Sequence, residues 1–254
     1  MKISIITACF NSESFINNTF TSVAVQTYRD IEHIVIDGGS TDSTLNIIDR
    51  YRSGLTHVIS EPDNGLYDAM NKGVAIASGD IIGILNADDF YANDNVIANV
   101  AEVFEDERVD ACYGDLEYVD SANTTKVFRY WRSGDYHAER FYNGWMPPHP
   151  TFFVRRELYE KFGNFNLALG SSADYELMLR FLLKHEANTV YIPEVLVKMR
   201  TGGASNASFL NRLRANIMDR YAWRINGLSP RPWTLYMKPL SKLNQFFRRK
   251  NDPR

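Results

Sequence analysis

The chain is poor in the residues that build covalent and metal scaffolds, with two cysteines, Cys9 and Cys112, and five histidines among 254 residues. Two scattered thiols exclude a disulfide framework and a thiolate metal centre, and both read as ordinary buried side chains. No apolar run is long enough to span a bilayer as a helix. The opening Met1-Lys2-Ile3-Ser4-Ile5-Ile6 lacks a signal-peptide pattern, so a cytoplasmic location is expected. No G-x-G-x-x-G follows the first strand-like run and no G-x-x-x-x-G-K-[ST] occurs anywhere, which weakens dinucleotide and P-loop readings. Internal repeats and low-complexity linkers are also missing.

What is present is an α/β pattern. With 44% hydrophobic residues the chain can bury one large core. Strand-like runs at 3–7, 34–37, 57–59 and 81–85 alternate with helical spacings, such as Ile16, Phe20 and Val23, and with a helix expected over 68–77. This βαβαβαβ order implies a mainly parallel sheet covered on both faces. Beyond it, 110–119, 126–130 and 151–154 read as antiparallel strands and 173–184 as an amphipathic helix. The run 190–199 contains Pro193, which points to an edge strand or two short ones.

The most informative residues are Asn86-Ala87-Asp88-Asp89, directly after the apolar run 81–85. Ligands of open α/β sheets bind at the carboxyl ends of the strands. Two adjacent carboxylates there repel unless a cation lies near, and a divalent ion bridging phosphates would serve. The alternative is that either Asp caps the helix beginning near Asn95 or solvates a turn. The other strand ends collect polar and small residues too: Thr7 to Asn11, Asp37 to Asp42, and Ser60 to Gly65. Such an edge suits a nucleotide, with carboxylates accepting from base or ribose and glycines permitting close approach. Ser40, Thr41 or Asp42 would also cap the following helix.

In their order and spacing these pieces resemble the inverting family 2 glycosyltransferases of the GT-A fold. The resemblance spans about Ile3 to Gly203. It rests on Ile5 to Asn11, Ser22-Val23-x-x-Gln26-Thr27-Tyr28, Ile34 to Asp42, Glu61-Pro62-Asp63-x-Gly65-x-Tyr67-Asp68-Ala69-Met70-Asn71-Lys72-Gly73, Asn86 to Asp89 and Ala173 to Leu177. It implies a UDP-sugar donor held by Thr7, Asn11, Asp37, Asp63, Gly65, Asn71, Lys72, Asn86, Asp88 and Arg200. It also implies Mn²⁺ or Mg²⁺ held by Asp88 and Asp89. Many relatives begin the acidic motif with Asp, where this chain has Asn86, so coordination falls to the later pair. Asp174 becomes the general base, at the start of a helix and able to take the acceptor proton. Its alternative is a purely electrostatic role at that helix end. Glu176, two residues on, is the weaker candidate. His149, in Pro147-Pro148-His149-Pro150, borders the acceptor side, or else its prolines merely fix a loop. Arg200-Thr201-Gly202-Gly203 reads as a loop closing over the diphosphate.

Two divisions follow: a GT-A catalytic domain over 1–205, with a nucleotide half to about 100 and an acceptor half beyond, and a helical, basic tail over 206–254. From residue 201 onward eleven Lys or Arg face two Asp, a balance of +9 that leaves −12 for the first 200 residues. Phe209, Leu213, Ile217 and Tyr221 suggest a helix packed on the catalytic domain. The aromatic, basic stretch beyond Pro230 suits an anionic membrane surface. The expectation is a cytoplasmic enzyme, peripheral on the inner face of the plasma membrane, that extends a lipid-linked (undecaprenyl diphosphate) glycan in bacterial polysaccharide, O-antigen or capsule synthesis. Nucleic acid is disfavoured as a partner, a homodimer is open, and a non-catalytic nucleotide-sugar-binding module is the competing reading.

Overall fold

The computed structural model describes residues 1–202, 209–241 and 245, with the backbone alone for 209–214. The first half runs β1 (Ile3–Cys9), α1 (Ile16–Ala24), β2 (Ile31–Asp37), α2 (Thr44–Arg50), β3 (His57–Ser60), α3 (Leu66–Ile76) and β4 (Ile81–Ile84). Then come β5 (Phe90–Tyr91), α4 (Val96–Val103), β6 (Ala111–Val119), β7 (Val127–Trp131), α5 (Ala138–Tyr142), β8 (Phe153–Arg155), α6 (Arg156–Phe162), α7 (Ala173–Met178), β9 (Thr189–Arg200), α8 (Phe209–Ile225) and α9 (Thr234–Leu240).

One mixed sheet results, in the order β3-β2-β1-β4-β8-β6-β9-β5, with β7 paired to β6. The four early strands are parallel, and β1, β2 and β4 are the β-branched runs buried on both faces, while β3 is a partly exposed edge strand. Their pleat sends Val35 to one side, against Ile16 and Phe20 of α1 and Ile47 and Ile48 of α2. Ile34 and Ile36 point to the other side, with Met70 and Val74 of α3. β8 then enters antiparallel to β4, and Gly83 makes room: a side-chain carbon there would lie 2.4 Å from the Phe153 ring.

Strand β9 differs from expectation. It is one strand of twelve residues, paired with β6 along one side and β5 along the other. Its proline is accommodated because the register shifts between Tyr113 and Asp115, so that Ile192 to Glu194 bulge away from the ladder.

Candidate active site

The carboxyl ends of the parallel strands meet at one edge, but their side chains divide into those that build the rim and those that line it. Asp37 is fully buried and builds. Its carboxylate accepts from the Ser40 amide (3.0 Å), the Gly39 amide (3.2 Å), the Ser60 hydroxyl (2.7 Å) and the Ser40 hydroxyl. The sequence reading of Asp37 as a base acceptor therefore meets a group whose lone pairs are already engaged. Thr7 is also fully buried, its hydroxyl 3.1 Å from His33 Nε2, a full pleat repeat below the rim. Asn11, with φ of 47°, ties β1 to the next turn: its Oδ1 accepts from the Thr41 amide (2.9 Å) and its amide donates to Ser40 Oγ (2.8 Å).

The third turn supplies the carboxylate that lines the rim. Asp63 is half-buried, and its Oδ1 accepts from the Gly65 amide at 2.7 Å. Its Oδ2 lies over Gly38, where a side-chain carbon would come within 2.5 Å, so Asp63 occupies the place a side chain at 38 would fill. Gly65 begins α3 with φ of 107°, a conformation that suits glycine. Lys72 braces this turn by pairing with Glu61 (2.7 Å) and donating to the Pro62 carbonyl (3.1 Å). Asn71 faces another way and clamps the Phe165 amide and carbonyl, both at 2.9 Å. Beside the rim stands Phe10, 60% exposed, a residue that the motif contained and to which sequence reasoning gave no role.

Strand β4 ends in the acidic loop, closed by the Asp89 amide on the Asn86 carbonyl (3.0 Å). Neither acid caps α4, whose first turn has no side-chain cap. The loop is instead held through its main chain from beneath. Buried Thr19 of α1 shares its hydroxyl proton between the Ala87 (2.8 Å) and Asp89 (2.7 Å) carbonyls. Arg200 donates to the Asp88 carbonyl at 2.6 Å, with its guanidinium between the Phe15 and Phe90 rings. Only 4% exposed, Arg200 is a support of this loop, where the sequence suggested a mobile clamp on diphosphate. The side chains are only partly compensated, by Asn86 and by the Arg200 charge. Asn86 Nδ2 donates to Asp89 Oδ2 (3.2 Å), but Asn86 Oδ1 and the other Asp89 oxygen are buried without a hydrogen-bond partner. Burial, and then the Asp88 charge, push the Asp89 carboxyl well above the usual range; burial also raises half-buried Asp88, opposed by Arg200. Among the described residues no group of three or more His, Cys, Asp or Glu is placed to hold a metal ion by itself. The donor set nevertheless fits a hard cation that takes its remaining ligands from phosphate oxygens, since one Asp89 oxygen and the Asn86 amide oxygen lack partners beside the half-buried Asp88 carboxylate, and all are oxygen donors.

Asp174 is the second residue of α7, half-buried, its Oδ1 accepting from the Tyr175 amide at 2.7 Å. Around it stand three aromatic groups. The Tyr67 hydroxyl is held well above its usual pKa by burial and then by the charge and hydrogen bond of Asp174. His149 is buried and edge-on to Phe165 at 5.5 Å; burial lowers its pKa, against the opposing pull of Asp174, so the ring is neutral near pH 7. Tyr118 of β6, raised chiefly by burial, lies within electrostatic reach of both Asp89 and Asp174. Glu176 is excluded as base: it is buried, paired with Arg180 (3.0 Å) and bonded by Asn226 (3.0 Å). Tyr67 and Tyr118 were missed in the sequence, Tyr67 despite lying inside a quoted motif.

A profile described as Glycosyl transferase family 2 matches residues 4–163. The chain belongs to glycosyl transferase family 2. It is 34% identical over 190 residues to an uncharacterized glycosyltransferase of Mycobacterium tuberculosis, covering 74% of this chain and 71% of that one. It is 33% identical over 219 residues to a PGL/p-HBAD biosynthesis glycosyltransferase of Mycobacterium bovis, covering 83% of each. Its fold is GT-A-like. S. aureus TarS, solved as residues 1–349 with UDP-GlcNAc, superposes with a TM-score of 0.70 at 18% identity over 97% of this chain and 73% of that one. The mannosyltransferase PcManGT from Pyrobaculum calidifontis, solved with GDP-Man and Mn²⁺, superposes at 0.64 with 20% identity over 96% and 70%.

In this family 2 glycosyltransferase, the match ends before α7, so the candidate base and everything after it are carried by parts beyond the matched range. The described part of the tail is docked on α7, which carries the candidate base. Trp223 Nε1 donates to the Tyr175 hydroxyl (2.9 Å) and Ser172 Oγ donates to the Ala215 carbonyl (3.3 Å). Lys238 Nζ lies 3.7 Å from the centre of the Tyr175 ring while pairing with buried Asp219 (2.6 Å). Arg231 forks onto Glu139, and the α9 backbone passes so close to Gly144 that a side-chain carbon there would meet Lys238 N at 2.3 Å. Two tail cations expected to face lipid, Arg231 and Lys238, are therefore engaged in ion pairs. No helix among the described residues is long and apolar enough to cross a membrane. Lys242 and Phe246 to Lys250 lie outside the described residues, as do the side chains of Phe209 and Leu213.

Proposed function

We propose that this glycosyltransferase is inverting and moves a sugar from a UDP-sugar to a hydroxyl of a lipid-linked glycan, at a cytoplasmic membrane face. The observation that carries the reading is an under-satisfied acidic loop with a second carboxylate in its neighbourhood: Asp89 and Asp174 both lie within electrostatic reach of Tyr118. In this reading the base stacks on exposed Phe10 and hydrogen-bonds Asp63, while Asp37, Asn11 and Lys72 hold the turns that shape the rim. Asp88, backed by Asp89, holds Mn²⁺ or Mg²⁺, which when bound offsets charge on the departing diphosphate. An acceptor oxygen forms the new bond to the anomeric carbon as the bond from that carbon to the β-phosphate oxygen breaks. The acceptor proton passes to Asp174, and the electron pair leaves with UDP. Tyr67 and neutral His149 orient the carboxylate.

Substituting Asp174→Asn tests this. Turnover is expected to fall by about 10² to 10⁴ with UDP binding by calorimetry nearly unchanged. Loss of UDP binding with turnover retained would exchange the two sites. A screen of UDP- and GDP-sugars reports the base, and nucleotide binding without transfer under any donor would support the competing binding-module reading.

A further inference from the structure

The tail helix α8 turns a different face to the protein from the one its sequence suggests. Among its described side chains Asp219, Ala222 and Trp223 are buried, as is Asn226 just past its end. Ile217, Arg220, Tyr221, Arg224 and Ile225 are all exposed, Ile217 by 63%. These five fall at i, i+3, i+4, i+7 and i+8, a single helix face. The same spacing recurs on the adjoining α9, where Trp233, Tyr236, Met237 and Leu240 are exposed, Tyr236 by 68%. Isolated exposed apolar residues need no explanation, but two neighbouring helices each leaving a full stripe of large ones do. The cations on these stripes are Arg220 and Arg224. The one carboxylate that α8 and α9 carry, Asp219, is buried against Lys238 on the inner side.

We propose that the outer stripes of α8 and α9 form the surface that lies on an anionic lipid bilayer. This deepens the proposed function, resting on its lipid-linked acceptor, and extends the membrane surface from the stretch beyond Pro230 to the outer face of α8. Charge selects the occupant: aromatic and aliphatic side chains interleaved with arginines, with no exposed acid, match an interface of acyl chains and negative head groups. The geometry adds a consequence for transfer. The inner side of α8 grips α7 through Trp223 to Tyr175 (2.9 Å), and Asn226, just past its end, adds a bond to Glu176 (3.0 Å). Whatever orients α8 on a bilayer therefore orients Asp174 as well.

The test is co-sedimentation of the full chain with phosphatidylglycerol-rich vesicles and with pure phosphatidylcholine vesicles. The expected result is pelleting with the first, little with the second, and weakening by salt. Ile217→Ser with Tyr221→Ser should lower the partition coefficient at least about tenfold. Arg220→Gln with Arg224→Gln should do so on anionic vesicles only. Both variants should keep UDP binding and transfer to a short water-soluble acceptor. That separates a failure of the surface from a failure of the catalytic reading, because loss of soluble transfer in the unsubstituted chain would sink the latter alone. The proposal is overturned if the unsubstituted chain ignores anionic vesicles. It is also overturned if both α8 variants bind normally while Arg248, Arg249 and Lys250→Gln abolishes binding. Sedimentation equilibrium gives a third way to lose it: a dimer that the α8 substitutions dissolve would make the stripes a contact between two copies of the chain.

Discussion

Single carboxylates at the strand ends do opposite jobs, and the difference is accessibility rather than residue type. Asp63→Ala removes a half-buried group with one internal bond, so UDP affinity should fall roughly tenfold, about 1.4 kcal/mol, with the melting temperature nearly unchanged. Asp37→Ala strands two hydroxyls and two amides in the interior. It should cost stability by several kcal/mol on the order expected for buried groups losing their partners, and calorimetric unfolding separates the two effects. His33 offers a pH test. Burial lowers its pKa to about 4 from an unfolded value near 6.5, so between those values the unfolded chain binds more protons. Its contribution is therefore fully present above pH 6.5 and is lost as pH falls toward 4, up to ~3 kcal/mol. The melting temperature of His33→Gln should change less between pH 7 and pH 4.5 than that of the unsubstituted chain. An equal slope would assign the acid sensitivity to other groups.

At the scale of elements, the acidic loop and α9 each make a prediction. Chelation by EDTA should abolish transfer and Mn²⁺ or Mg²⁺ should restore it, because the loop leaves two buried oxygens without partners beside Asp88. Full activity after dialysis into EDTA would remove the cation from the reading. For α9, Lys238→Met leaves Asp219 buried and unpaired, at a cost of ~3 kcal/mol by thermal unfolding. Adding Asp219→Asn should recover most of that loss, a double-mutant cycle that isolates the pair. The elements themselves were legible to different depths. β1, β2 and β4 announce themselves because burial on both faces demands unbroken β-branched runs. The two-residue strand β5 and the short helices α5 and α6 carry too few residues for any period to register. In the site, type and order of residues were readable, but depth was not: Thr7 sits one pleat repeat below the rim, and Arg200, at the end of a strand and before glycines, reads as mobile although packing fixes it between two rings. The exposed stripe of α8 was misread for a related reason, since a helix with apolar residues on both faces does not declare which one meets the core.

For the whole molecule, the strand order has a consequence for how the chain is made. The four parallel strands are continuous in sequence, yet β4 borders β8, and β8 in turn borders β6. About seventy residues separate β4 from the strand that covers it, which at roughly 5–20 residues per second takes several seconds of synthesis. Throughout that interval the edge of β4, bearing Ile81, Ile82 and Ile84, is an open pairing template on a nascent chain. The Asn71 clamp on Phe165 likewise joins residues 94 apart. A nascent chain stalled before residue 153 is thus expected to be held in an unsealed, chaperone-binding state, and protection of the first three strands from protease should rise sharply only once the segment carrying β8 has cleared the ribosome.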